Sequence, residues 1–182
     1  MLLTQQPTDL IGPFKQGLIF AYPTEAVYGL GCDPDKKMSV LRLLHIKQRP
    51  LHKGLILIAS DFSQVEKYLK PLSAEQLKCT APSKTTYIYP TLDSAPRWLT
   101  GGFDSLAIRI TKHPLVQELC ATLDSALVST SANVSGLEPA RTADKVSQLF
   151  DKKIDAVLDG KLGDLQSPTK IRDSLTGDVV RF

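Results

Sequence analysis

The chain has 182 residues, is 42% hydrophobic and 23% charged, and carries a formal net charge of +3. That length suits one domain with a proper core, and so small a charge excludes a general nucleic-acid coat while leaving room for a local basic groove. Its three cysteines, Cys32, Cys79 and Cys120, form no CxxC pair, which sets aside a disulfide framework or a cysteine metal site and points to a reducing cytoplasm.

The first residues lack a basic segment followed by a long apolar run, so no signal peptide is expected, and no apolar stretch reaches the length of a membrane span. A strand is predicted over 18–22, ended by Pro23. The following segment, Thr24-Glu25-Ala26-Val27-Tyr28-Gly29-Leu30-Gly31, reads as a loop whose glycines allow a tight turn or the approach of a ligand at a strand end. A helix is predicted over 36–48, between Asp33-Pro34-Asp35 and Arg49-Pro50, with Met38, Leu41 and Leu44 at spacing three and Val40 and Leu43 beside them. A strand over 55–59 and short helices over 62–69 and 73–78 come next. The stretch 78–102, with Pro82, Pro90, Pro96 and Gly101-Gly102, reads as loops around one strand at 86–89.

Further along, a strand over 106–110 precedes a helix beginning at Pro114 that turns Leu115, Val116 and Leu119 inward. A strand over 127–129, a helix over 142–150 and a strand over 156–158 complete the pattern. The alternation predicts an α/β (α+β) chain, a single domain over 1–182, with a mixed sheet covered by helices.

Two small polar clusters carry the most chemistry. Lys47-Gln48-Arg49 closes the long helix, with His52 and Lys53 shortly after. Ser129-Thr130-Ser131-Ala132-Asn133-Val134-Ser135-Gly136 follows a strand, and Arg141-Thr142 opens the next helix. A guanidinium fork, an ammonium, small hydroxyls and backbone N–H groups together suit a phosphate-bearing ligand without a P-loop. The bland alternative for Lys47 and Arg49 is complementing the helix dipole, although four cations within seven positions exceed what a cap needs. Arg109, inside an apolar strand, lies on an exposed sheet face, is salt-bridged, or is a fixed guanidinium in a cleft. His45, His52 and His113 show no metal spacing and read as solvated, and Trp98 reads as a packing anchor.

The segment from Tyr22-Pro23-Thr24-Glu25 to Leu30, the Lys47-x-Arg49 pair, Ser105-Leu106-Ala107-Ile108-Arg109 and Ser131-x-Asn133-x-Ser135-Gly136 closely resemble, in order, the YrdC/TsaC family of threonylcarbamoyl-AMP synthases. Arg97-Trp98-Leu99-Thr100-Gly101 is similar to the short bacterial branch, which has no second domain. The resemblance implies a twisted, largely open sheet with a deep basic cavity. It implies synthesis of threonylcarbamoyl-AMP and pyrophosphate from L-threonine, bicarbonate (or CO2) and ATP, with Mg2+ arriving on ATP. Partner proteins then pass the threonylcarbamoyl group to the tRNA adenosine next to the anticodon, and direct tRNA contact is a further implied role. The alternatives are a non-catalytic binder of structured RNA and a carbamoyl-adenylating module of the hydrogenase-maturation type; zinc-finger cysteines, which the latter carries, are lacking here.

Carried over by motif, Lys47, Arg49, Ser131 and Asn133 are the catalytic set. Thr24, Arg109, Asn133 and Thr169 are implied to hold threonine or its carbamate. ATP falls to Lys47, Arg49, Lys53, Thr86, Ser131, Ser135, Arg141 and Arg181. Three features depart from the family: Pro82-Ser83-Lys84 replaces the usual Pro-Gly-Pro, Ile58 stands where longer members carry histidine, and Thr169 replaces serine while keeping the hydroxyl.

Overall fold

Alternating side chains of single strands feed two separate cores. Phe20 and Tyr22 pack with Ile58, Leu127, Ala156 and Leu158, whereas Ile19 and Ala21 pack with Leu30, Leu57, Val128 and Val157. Strands buried on both faces need apolar residues at consecutive positions, which is why these segments read as unbroken hydrophobic runs.

The computed structural model describes residues 1–181, for Arg181 the backbone alone. The strands are β1 (Leu2–Thr4), β2 (Phe20–Pro23), β3 (Tyr28–Gly31), β4 (Ile56–Ala59), β5 (Thr85–Pro90), β6 (Ser105–Ile110), β7 (Leu127–Ser131), β8 (Ala156–Leu158), β9 (Lys170–Asp173) and β10 (Val179–Arg181). The helices are α1 (Ile11–Lys15), α2 (Lys37–Ile46), α3 (Ser63–Glu66), α4 (Ala74–Leu77), α5 (Arg97–Thr100), α6 (Pro114–Leu123) and α7 (Ala143–Phe150). The strands join in one mixed sheet ordered β1-β8-β2-β3-β7-β4-β6-β5-β9-β10. One core lies on the side of α2 and α7, the other under α6, Leu10 and Phe14.

Strand β7 is the seam of this sheet. Its first residues, Leu127, Val128 and Ser129, pair with β4, and its last, Thr130 and Ser131, pair with β3. The polar run that begins at Ser129 therefore emerges where the two halves of the sheet meet.

Several expectations change. Gly29 and Gly31 lie in strand β3, not in a loop, and the turn is confined to the residues between β2 and β3. A Cβ on Gly31 would stand 2.5 Å from the Val128 carbonyl and 2.7 Å from the Tyr22 ring, so glycine is required by close packing across the sheet. Met38 is 75% exposed; the inward face of α2 is Ser39, Val40, Leu43 and Leu44. His113 is buried rather than solvated, its Nε2 lying 3.0 Å from the Lys161 carbonyl. Strands β1, β9 and β10 and helices α1 and α5 were not expected from local pattern. Trp98 does anchor: its indole N–H donates to the Pro34 carbonyl (3.0 Å).

Candidate active site

On the α6 side of the sheet, Ile58 is sealed between Arg109 and Leu127 in register. Two positions back, Ile56 pairs with Ser129. A cavity of about 350 Å³ opens at that point, lined by Thr24 to Gly29, Arg49, Leu55, Ile56, Arg109, Ser129 to Ser131, Pro168 and Thr169. Apart from Arg49, at the end of α2, these come from strand ends or loops beside β2, β3, β4, β6, β7 or β9.

The first wall is built from a helix end. Helix α2 stops in a Schellman turn: Arg49 N–H reaches the Leu44 carbonyl (3.0 Å) and Gln48 N–H the His45 carbonyl (3.0 Å), with Gln48 left-handed at φ 50. This turn aims Lys47 inward, where it is only 2% exposed. Its ammonium donates to the Ser131 carbonyl, the Asn133 carbonyl (2.7 Å) and Asn133 Oδ1 (3.1 Å), which uses all three of its donors. The Lys47 carbonyl in return accepts from Ser135 N–H (3.1 Å) and Ser135 Oγ (3.0 Å). Ser131 Oγ donates to Asn133 Oδ1 (2.6 Å), and Asn133 Nδ2 to the Leu137 carbonyl (2.6 Å). Burial, and then the charge of Arg49, pull the Lys47 ammonium down to about 8. The lysine thus fastens the Ser131–Asn133–Ser135 loop to the helix end.

The second wall is an ion pair in a polar network. Arg109 is 7% exposed and stands 3.3 Å, Nη2 to Oε2, from the buried Glu25. Its Nη1 donates to Thr169 Oγ1 (3.1 Å), which also meets Thr86 Oγ1 (2.9 Å). Thr111 Oγ1 donates to Glu25 Oε1 (2.6 Å). Thr24 Oγ1 donates to the Val27 carbonyl (2.7 Å), closing the turn that carries Glu25.

Most of the sequence-derived candidates therefore meet. Thr24, Arg49, Arg109, Ser131 and Thr169 line the cavity, while Lys47, Asn133, Ser135 and Thr86 support its walls from behind. Arg49 donates to the Gly54 carbonyl (2.9 Å) and also lines a shallow outer groove with His45, Gln48 and Pro50. Lys53 is exposed on the short turn after Pro50, and Arg141 is exposed, donating to the Gln166 carbonyl (3.0 Å). Ile58 lies wholly in the α6 core, away from the cavity lining. The Arg181 side chain lies outside the described residues. The sequence singles out Glu25 only as a member of the Thr24–Gly31 segment, because its partners Arg109 and Thr111 are distant in sequence.

A more open groove of about 630 Å³ shares Glu25 with this cavity and is lined by Lys84, Lys112, Lys161, Pro114, Leu115 and Leu162, with Asp164 paired to Lys84 (2.5 Å). It gathers none of the paired hydroxyls that mark the smaller cavity.

The family model Sua5/YciO/YrdC, described as telomere recombination, matches residues 13–181. The threonylcarbamoyl-AMP synthase of Photorhabdus laumondii is 50% identical over 178 residues, covering 95% of this chain and 94% of that protein. A synthase of the same name from an Enterobacter species is 50% identical over 172 residues, covering 92% of this chain and 90% of its own. Among solved structures, P. abyssi Sua5 complexed with L-threonine superposes with a TM-score of 0.85 at 29% identity. The match covers 94% of this chain and 53% of that one, so the chain spans about half the length of the Sua5 protein. A family match over nearly the whole chain, with relatives half identical along it, makes this chain a member of the Sua5/YciO/YrdC family.

Proposed function

We propose that the chain is a threonylcarbamoyl-AMP synthase, joining L-threonine, bicarbonate or CO2 and ATP and releasing pyrophosphate. One observation carries this reading: a single cavity has a lysine-fastened hydroxyl-amide loop on one wall and a buried arginine on the other. The names of the half-identical relatives support it, as does the threonine complex of the structural neighbour.

Threonine places its carboxylate on Arg109 and Thr169, beside the Thr24 turn. Its amine adds to CO2 and gives up a proton to solvent, an oxygen of the resulting carbamate attacks the α-phosphate of ATP, and pyrophosphate leaves. Both reactants are anionic, so positioning and charge neutralisation supply most of the acceleration. Lys47 spends its donors on the loop yet keeps its charge, because carbonyl dipoles satisfy N–H groups without cancelling a net positive charge. It therefore contributes field and shape, while Arg49, at the boundary between the cavity and the outer groove, contacts the phosphates. Ser131, Asn133 and Ser135 present the loop to the same phosphates, and Lys53, Arg141 and Arg181 serve the outer part of the nucleotide. Thr86 acts behind Thr169.

Magnesium, when bound, screens the phosphate charge. Among the described residues, Glu25 is the one carboxylate in the cavity lining, and it is paired with Arg109 and held through Oε1 by Thr111. That donor set fits an ion held by ATP oxygens and water rather than by a protein cage. Among the described residues no helix is long and apolar enough to cross a membrane, and the unpaired Cys32, Cys79 and Cys120 fit a reducing cytoplasm. Partner proteins would carry the threonylcarbamoyl group onward, and direct tRNA contact would fall on the groove lined by Lys84, Lys112 and Lys161.

The experiment is pyrophosphate release from ATP by the purified protein, with threonine and bicarbonate omitted in turn. Release that requires both is expected. Release indifferent to threonine, or tight binding of structured RNA with no turnover, would overturn the assignment.

A further inference from the structure

Glu25 is a buried carboxylate that the reaction as described does not use. Its Oε1 is held by Thr111, but its Oε2 makes no hydrogen bond, and the Nε of Arg109 has none either. At 3.3 Å, Nη2 to Oε2, the pair is a single contact and not the two-pronged fork that arginine and a carboxylate form when free to align. Nor can the acid easily swing away. Its turn is pinned where Gly163 N–H meets the Thr24 carbonyl (3.0 Å) and Leu165 N–H the Glu25 carbonyl (2.9 Å). A Cβ on Gly163 would lie 2.8 Å from the Glu25 Cα, so the two segments are packed backbone to backbone.

Glu25 and Arg109, one negative and one positive, both line the cavity, and each keeps a buried polar atom without a hydrogen bond; such a pair is complementary to a zwitterion. An α-amino acid carries its carboxylate and its amine on the same carbon. We propose that Glu25 is the specificity residue that reads the substrate's α-amino group, its Oε2 accepting from that nitrogen while Arg109 takes the carboxylate. This rests on threonine binding at Arg109, as set out above. It adds a directional effect: the carbamate that replaces the amine is anionic, so the carboxylate that attracts the substrate repels the activated form towards Arg49 and the loop.

The test compares L-threonine with 3-hydroxybutyrate, which keeps the carboxylate, hydroxyl and methyl but lacks the amine. Calorimetry on the wild-type protein should show threonine preferred by about 10- to 100-fold, the range of one hydrogen bond to a charged group. Glu25→Gln should lower that preference to within about threefold, leave 3-hydroxybutyrate bound as before or tighter, and leave ATP binding unchanged. Glu25→Asp should restore part of the preference. If Glu25→Gln folds poorly, Thr111→Val, which releases Oε1, should reduce the preference in the same direction. Equal weakening of both ligands would overturn the proposal, because the acid would then only be propping Arg109; so would an undiminished preference. Wild-type protein that binds ATP but not threonine would overturn the functional assignment itself, which separates the two failures.

Discussion

Lys47 and Arg109 are both nearly buried cations, at 2% and 7% exposure, yet their surroundings neutralise them differently. Lys47 is surrounded by backbone carbonyls and one amide oxygen, which satisfy its donors and leave its charge uncancelled. Arg109 faces a carboxylate, which cancels its charge and leaves direction. The difference divides the labour of the site. In the proposed reaction the Lys47 wall supplies positive field for the phosphates, and the Arg109 wall orients the amino acid.

If that division holds, charge removal should hurt most on the phosphate wall. Arg49→Ala and the near-isosteric Lys47→Met are each expected to lower kcat/KM about 10²- to 10³-fold, roughly 2.7–4 kcal/mol of transition-state stabilisation. Steady-state kinetics should show the Arg49 loss chiefly against ATP and the Lys47 loss in kcat. A Lys47→Met enzyme with normal turnover would mean that the loop does not depend on its ammonium.

The next effect is a pH response confined to the same wall. Lys47 is brought down to about 8, so activity that needs its three donors and its charge should fall above that pH, about tenfold per unit. Stability moves the other way. The unfolded chain keeps the proton up to about 10.4, so between about 8 and 10.4 this group's contribution to stability rises with pH. Denaturation and turnover measured across that window should therefore diverge.

On the orienting wall the effects should be smaller and limited to threonine. Thr169→Val removes the hydroxyl shared by Arg109 and Thr86 and should raise the threonine KM several-fold, in line with about 1 kcal/mol for a hydrogen bond. Thr169→Ser should be nearly silent. Smallest is a change in stability alone: Gln48→Gly relieves the left-handed backbone at φ 50 and should add about 0.5–1 kcal/mol, read from the urea midpoint. A loss there would show that the Gln48 side chain matters more than its backbone.

Much of this site was legible from residue chemistry. The Lys47-x-Arg49 hook, the Ser131–Ser135 loop and Arg109 were recognisable because their polar groups sit against apolar runs. Their convergence rests on β7 pairing with both β3 and β4, which no local pattern encodes. Strand β3 was hidden because its glycines answer to the Val128 carbonyl and the Tyr22 ring, contacts made only after folding. Strands β9 and β10 carry too few alternating apolar residues to announce themselves; β9 is held by pairing alongside β5. Met38 satisfied the spacing of a helix face but is exposed, the buried face running through Ser39, Val40, Leu43 and Leu44. His113 looked solvated because the carbonyl that meets it, that of Lys161, belongs to a distant loop. Glu25 was overlooked for the same reason, its Thr111 partner lying 86 positions away.

The most direct test is a crystal structure with L-threonine and a non-hydrolysable ATP analogue. The threonine carboxylate should lie on Arg109 and the α-phosphate between Arg49 and the Ser131–Ser135 loop, with Lys47 still bound to the loop carbonyls. A nucleotide seated instead in the groove of Lys84, Lys112 and Lys161 would contradict this.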